Sequence, residues 1–360
     1  MKQTSSIISR QNIFIFVITI LLFIFPVVQW SRNETSRINK ASFASSYSSS
    51  YVVNKSEILS YRRSSCTCTR PLPKSNSNLL IIDESSSSLC SHYSTLRGSH
   101  QRIVSISMYG QGDNAMFTLN TSVNLLHELV SDIKKRYPNW ILRIYHDLTI
   151  KNDVICSIEC TYNNVDFCNT TSLSNLGNLN SYIPPKIWRF LPVGDELVDI
   201  MISRDLDSPI TQRELDAVNE WILSGKAWHS MRDNPMHFVV MLGGMWGFRP
   251  ALNRTMGNYV LQKILNRSLI INFGGRGDQG FLSEHVWPHI QDHIIVHDSF
   301  LCTEPYGKNS RPWPTRRQHP SNNTYCFVGC TRPCCDPTKY PFNECPKACR
   351  PQNHTDWTMC

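Results

Sequence analysis

The sequence predicts an α/β domain built on a mostly parallel, Rossmann-type sheet with helices on both faces. Three observations lead there. Residues 103–108 (IVSISM) form a strand-like run that ends in Tyr109-Gly110-Gln111-Gly112-Asp113. Val123, Leu126, Val130 and Ile133 then recur at helical spacing, which predicts a helix over 123–136. Residues 140–145 (WILRIY) close the strand–helix–strand unit, and such a unit places its loops in a crevice above the carboxyl ends of the strands. Gly110 and Gly112 do not make a dinucleotide fingerprint, because the third glycine is absent.

Upstream of this unit the chain reads as a tether. Residues 13–28 carry no charge and lie between Arg10 and Arg32, with Gln29 and Trp30 at the boundary. A cleaved signal peptide has an apolar core of roughly 7–15 residues ending in small residues. This segment runs instead into Pro26-Val27-Val28-Gln29-Trp30, so the expectation is an uncleaved anchor over residues 13–30 after a cytosolic tail of residues 1–12. Residues 31–100 are rich in serine and lack apolar periodicity, which predicts a flexible stem. Glycosylation sequons at Asn33, Asn54, Asn120, Asn169, Asn253, Asn266, Asn322 and Asn353 all follow the apolar segment. Together with 14 cysteines, an even number, they predict a disulfide-bonded lumenal body, a single-pass type II protein of the Golgi or endoplasmic reticulum.

A net charge of +8 over 360 residues is modest and scattered. No basic stripe with interleaved aromatics is present, which excludes a nucleic-acid binder and suits an anionic ligand.

The residues that carry chemistry begin after the apolar run 197–202 (LVDIMI). There Ser203-Arg204-Asp205-Leu206-Asp207-Ser208 places two carboxylates one residue apart at a strand end, where both can reach a divalent cation. Mg²⁺ and Mn²⁺ take one or two carboxylates when phosphate oxygens complete the shell. The competing reading is local: Asp207 or Ser208 caps the helix that follows. That helix has Pro209 in its first turn, Thr211 and Glu214 as a capping box, Leu215, Val218 and Ile222 as its apolar stripe, and Gly225 at its end. Residues 227–231 read as a short strand leading to Arg232-Asp233, and 237–242 as an apolar segment leading to Gly243-Gly244-Met245-Trp246-Gly247. These glycines let backbone approach a ligand, and Trp246 offers either a flat face to a sugar ring or a core tryptophan.

With Tyr137-Pro138-Asn139-Trp140, Arg143-Ile144-Tyr145-His146-Asp147, Trp188-Arg189-Phe190, His229-Ser230-Met231-Arg232-Asp233 and Asp278-Gln279-Gly280-Phe281-Leu282, these segments resemble GT-A type glycosyltransferases. The likeness includes polysaccharide-type and uncharacterised animal members sharing an Arg-Asp-Leu-Asp-Ser core, and it spans about residues 102–317. It implies a catalytic domain over 101–320, with a metal on Asp205 and Asp207 and a nucleotide over Tyr109 and Gly110. Arg189 or Arg204 would contact nucleotide or phosphate, and Asp278 would be the acceptor-side base, in competition with Asp233 and Glu284. His297, at the end of the apolar stretch 294–296, could complete the metal shell or be hydrogen-bonded structure.

The expectation is therefore a metal-dependent transferase using Mn²⁺ or Mg²⁺, a nucleotide-sugar donor and a glycan or glycoconjugate acceptor. The alternative is a membrane-tethered carbohydrate-binding protein on the same fold, with Trp246, Trp287 and Trp313 as stacking platforms; a third reading is a phosphotransferase or hydrolase using the same metal. The tail over residues 321–360, with Cys326, Cys330, Cys334, Cys335, Cys345, Cys349 and Cys360, lacks zinc-site spacing and reads as disulfides. Cys66, Cys68 and Cys90 are expected to pin the stem to the body, and Cys156, Cys160 and Cys168 to staple an insertion, pairing with one another or with Cys302.

Overall fold

A computed structural model describes residues 51–54, 60–71, 79–82, 87–110, 119–303, 307–317, 327–332, 334 and 344–360. The expected anchor at 13–30 and the cytosolic tail lie outside the described residues. Among the described residues no helix is long and apolar enough to cross a membrane.

The strands are β1 (Tyr51–Asn54), β2 (Ser60–Tyr61), β3 (Arg70–Pro71), β4 (Leu79–Ile82), β5 (Gln101–Met108), β6 (Ile141–His146), β7 (Val165–Asn169), β8 (Val198–Ser203), β9 (Trp228–Arg232), β10 (Trp246–Phe248), β11 (Ile294–Asp298) and β12 (Ser310–Arg311). The helices are α1 (His92–Leu96), α2 (Leu119–Arg136), α3 (Asn152–Thr161), α4 (Pro185–Trp188), α5 (Gln212–Leu223), α6 (Arg254–Leu265), α7 (Arg267–Ile270), α8 (Phe273–Phe281) and α9 (Trp287–Ile290). Eight strands form one sheet in the order β12-β11-β9-β10-β8-β5-β6-β7. All neighbours are parallel except β10, which runs antiparallel to both β8 and β9. The fold is thus mixed α/β with a mostly parallel, Rossmann-like sheet, as the sequence predicts.

Side-chain alternation along the strands splits the apolar core between the two faces. Ile103, Val198, Met201, Trp228, Trp246 and Val296 pack on one side with residues of α4, α6 and α8. Val104, Ile106, Leu142, Ile144, Ile200 and Ile202 pack on the other with α2, α3 and α5. In α2 the predicted stripe holds: Leu126, Val130 and Ile133 are fully buried, joined by Leu129. In α5 the stripe is rotated. Ala217, Val218 and Trp221 are the fully buried residues, while Leu215 and Ile222 sit at its margin. The rotation follows from β10, whose Gly247 leaves room for the Trp221 ring where a Cβ would collide with it.

Part of the segment read as a stem lies among the described residues, at 51–54, 60–71, 79–82 and 87–100. The globular unit begins at Ser50, and β1 pairs antiparallel with β4. Residues 62–71 and 87–100 cover β7, an edge strand that the sequence reading passed over as an insertion. The cover is electrostatic and covalent. Asp166 on β7 is fully buried and accepts from Arg97 and from Ser94 Oγ (2.9 Å), Glu159 accepts from Arg63 at 2.7 and 2.9 Å, and Arg70 lies 3.8 Å over the Tyr93 ring. An edge strand so covered offers no template for pairing with another chain. Disulfides Cys66–Cys156, Cys68–Cys160 and Cys90–Cys168 close the same seam. The upstream cysteines do pin the body as expected. Cys156, Cys160 and Cys168 pair with those upstream residues rather than with one another, and Cys302 pairs with Cys349. Cys330–Cys334 and Cys345–Cys360 complete six disulfides among the described residues, none of whose cysteines is free.

Two outcomes follow. Non-reducing peptide mapping should recover a Cys90–Cys168 link, and replacing both residues by serine should lower unfolding free energy by about 2–4 kcal/mol in urea titrations, because the bridge closes a long loop of the unfolded chain. The second concerns acid. Burial lowers the pKa of His229 and His297, and of His237 to about 4 from an ordinary 6.5. The unfolded chain therefore takes up protons that the folded chain refuses, and stability falls as pH drops from 6.5 toward 4. Asp166 and Asp233, whose pKa values are lowered by arginine partners despite burial, lose their contribution only below that window, as pH falls past 3.8. The urea midpoint should thus decline between pH 7.5 and pH 5; an unchanged midpoint would contradict the buried-histidine account.

Candidate active site

β5 leads outward to β6 and β7 on one side, and the chain then returns to β8 on the other. β5 and β8 therefore flank the topological switch point, where open α/β sheets leave a crevice above their strand ends. A cleft of about 590 Å³ lies there. Tyr109 and Gly110 follow β5, Asp205 and Asp207 follow β8, and all four line it. So do Arg189, just after α4, and Asp278, in α8.

Arg189 organises these residues. Its guanidinium is nearly fully buried, bonds Asp205 through Nη1 and Asp278 through Nη2 (2.5 Å), and donates to the Arg204 carbonyl (2.9 Å). Its main-chain N–H donates to Ser107 Oγ at 3.1 Å, which ties it to β5. Burial opposes its charge, but the two carboxylates more than offset this and raise its pKa. Burial likewise works to raise Asp205, yet Arg189, with Arg204 and Lys186, holds its carboxyl below the ordinary value. Asp207 differs. Burial and the adjacent Asp205 charge push its pKa up.

Gly243 and Gly244 line the cleft and also make room for its carboxylates. A Cβ on Gly243 would collide with the Asp278 carboxylate, and one on Gly244 with that of Asp205. Gly110, at φ 65°, adopts a backbone conformation that side chains disfavour.

The helix-cap reading of the triplet fails. Thr211 caps α5, its hydroxyl accepting from Glu214 N at 3.1 Å, so Asp207 and Ser208 are not needed there. Nor does Glu214 complete a capping box; its carboxylate takes Arg204 Nε at 2.7 Å and Tyr137 Oη at 3.1 Å.

Six residues expected at the site are elsewhere. Arg204 is buried against Glu214 and the Ser203 carbonyl, so its guanidinium cannot reach a phosphate in the cleft. Asp233 is fully buried, ion-paired to Arg213 and Arg317, and also accepts from Ser299 Oγ (2.7 Å) and Val328 N (2.9 Å). With its oxygens so engaged it is a structural hub and not a base. His297 is fully buried on β11, with Nδ1 2.8 Å from His229 Nε2 and Nε2 3.3 Å from Glu220, so it offers no nitrogen to a metal. Trp246 is fully buried, its ring 5.0 Å from Phe190 and 5.8 Å from Trp228, and Trp313 is equally buried. A ring with no exposed face cannot stack on a sugar, which removes two of the three platforms of the carbohydrate-binding alternative. Glu284 pairs with Arg276 at the surface, 2.5 Å away, and is not in the cleft wall.

The sequence reading missed Lys186, His237, Gln279, Gly329 and Thr331, all of which line the cleft. Lys186 and Arg189 were legible as two cations three residues apart after Pro184-Pro185. The contribution of the tail had no local signal.

The donor set fits a hard cation of limited protein coordination. Among the described residues the only cluster of three metal-capable side chains is Asp298, Cys302 and Cys349, whose two cysteines are joined in a disulfide. The cleft therefore contains no all-protein cage. Two aspartates with a side-chain exposure of 46% at Asp205 suit Mg²⁺ or Mn²⁺ that completes its shell with phosphate and water.

No family model matches the chain, and no curated protein matches it in sequence. Among solved structures, 4-diphosphocytidyl-2C-methyl-D-erythritol synthase from Anaerococcus prevotii is similar over 55% of this chain and 87% of that one, at 14% identity and a TM-score of 0.31. A likeness of that size supports neither an activity nor a residue role, so the functional reading rests on the cleft.

Gly244→Ala tests the packing around Asp205. The added methyl should displace the carboxylate, weaken Mn²⁺ binding about tenfold in a calorimetric titration, and lower stability by about 1–3 kcal/mol. Wild-type affinity in that variant would show that Asp205 is not held where the glycine places it.

Proposed function

We propose that the chain is a metal-dependent glycosyltransferase that moves a sugar from a nucleotide-sugar donor to a glycan or glycoconjugate acceptor. The observation that carries this reading is the Arg189 bridge between Asp205 and Asp278, set beside Asp207 in a cleft at the switch point. Asp205 and Asp207 would hold Mn²⁺ or Mg²⁺, and the bound cation would stabilise the charge that develops on a departing diphosphate.

The chain's own groups supply the rest. Lys186 lines the same cleft and places there a positive charge that favours an anionic leaving group, whereas the charge of Arg189 is committed to Asp205 and Asp278. Tyr109 packs edge-on against Trp188 at 5.8 Å and leaves one side to the cleft, a surface for the nucleotide near Gly110. Asp278 sits across Arg189 from Asp205 in the cleft lining, and its oxygens, one bonded to Arg189 and one to the Gln279 N–H, keep lone pairs that can accept the proton of an acceptor hydroxyl, unlike the crowded oxygens of Asp233. Its position is fixed by Arg189 and by the Gln279 N–H at 3.0 Å. We place the enzyme in the secretory lumen on a type II anchor; the disulfides of the described residues support an oxidising compartment.

The test is incubation with a panel of uridine and guanosine diphosphate sugars and Mn²⁺, following transfer or donor hydrolysis. Asp205→Asn should lower metal-dependent turnover by about two orders of magnitude or more, and it should also lower thermal stability because it removes one of the two charges that balance the buried Arg189. No metal-dependent turnover with any donor, or an Asp205→Asn variant as active as wild type, would defeat the proposal.

A further inference from the structure

The cysteine-rich tail returns to the cleft through residues 327–332 and Cys334, and this segment touches the aspartate loop at two points. Arg332 donates its main-chain N–H to the Asp207 carbonyl at 2.8 Å, and Thr331 lines the cleft with Asp207, where its hydroxyl acts to lower the pKa of that carboxyl. Both ends of the segment are anchored away from the cleft. At one end Val328 is buried among Met231, Met245 and Trp313, and its N–H donates to Asp233 at 2.9 Å. At the other, the Arg332 guanidinium reaches Glu128 (2.8 Å) and Asp132 (2.5 Å) on α2. Asp132 in turn accepts from Ile210 N at 3.1 Å, just beyond the aspartate triplet, so one carboxylate joins the tail and the triplet loop to the same helix. The Cys330–Cys334 disulfide closes a loop over Thr331 and Arg332. Gly329, at φ 88°, passes so close to the Met245 sulfur that a Cβ would collide with it.

Among the described residues Asp207 has no arginine ion pair of its own; Arg189 serves Asp205 and Asp278. A carboxylate on a turn, without a fixed partner, samples several rotamers, and ordering it when a cation arrives costs free energy. We infer that Thr331 and Arg332 are positioning residues for Asp207, the tail acting as a strap that presets this carboxylate for a divalent cation. The inference rests on the proposed role of Asp207 and deepens it: a segment 124 residues downstream of the triplet contributes to its geometry.

The readout is Mn²⁺ affinity of the full chain, measured calorimetrically at saturating uridine diphosphate, beside thermal melting. Thr331→Val removes the hydroxyl at nearly constant volume and should weaken Mn²⁺ binding about five- to tenfold, as expected for one hydrogen bond, without shifting the melting temperature. Thr331→Ser should restore wild-type affinity. Arg332→Ala should produce a similar loss, partly recovered in Arg332→Lys. Wild-type affinity in Thr331→Val, with Asp207→Ala clearly weakened, would overturn the strap while leaving the metal site standing. Wild-type affinity in both Thr331→Val and Asp207→Ala would overturn the strap and the site together. Loss of affinity in Thr331→Val that Thr331→Ser does not restore would assign the effect to packing and also overturn the strap.

Discussion

The site depends on one buried guanidinium. Arg189 lies between two carboxylates contributed by distant parts of the chain, Asp205 after β8 and Asp278 in α8, and its own main chain is tied to β5. Taking such charges out of water is costly, and their attraction repays it only with good geometry and further hydrogen bonds. The surroundings provide that geometry: Gly243 and Gly244 make room for the two carboxylates, and the Arg204 carbonyl accepts another of its protons. Removing Arg189 would leave Asp205 and the buried Asp278 without their shared counter-ion, beside a third carboxylate, Asp207. The arrangement is therefore better understood as a device that fixes carboxylates in place than as a source of stability.

A second ion-pair hub holds the wall of the cleft from behind. Asp233 gathers Arg213 from α5, Arg317, Ser299 beyond β11 and the Val328 N–H of the tail. Burial lowers the Arg317 pKa to about 10, and Asp233 opposes that loss, so the pair remains charged near neutrality. The division of labour between two similar Arg-Asp groups is decided by solvent: the Arg189 cluster opens to the cleft, whereas Asp233 is sealed.

Much of this was legible in the sequence where the signal was local. The β5–α2–β6 unit, the strand before Asp205 and the Thr211-to-Gly225 helix all follow from periodicity and end signals. The strand-end position of Asp205 and Asp207 followed from the same reasoning. What could not be read were decisions made by tertiary packing. Trp246 and His297 carry side chains that suit either a site or a core, and only their burial against Phe190, Trp228 and His229 assigns them to the core. Asp233 and Asp278 are both candidate bases by residue type, yet one is enclosed by Arg213 and Arg317 while the other lines the cleft. The covering of β7 by residues 62–71 and 87–100 was hidden by serine-rich composition, because the arginines and disulfides that order it pair at separations of 69 to 96 residues.

The central claim is that Asp205 and Asp207 present a divalent cation to a diphosphate. Calorimetric titration of uridine and guanosine diphosphates into the full chain, with Mn²⁺ and then with chelator, tests it most directly. The account predicts that Mn²⁺ strengthens binding of at least one of the two by about tenfold or more. Equal affinity with and without metal, or no binding of either nucleotide, would contradict it.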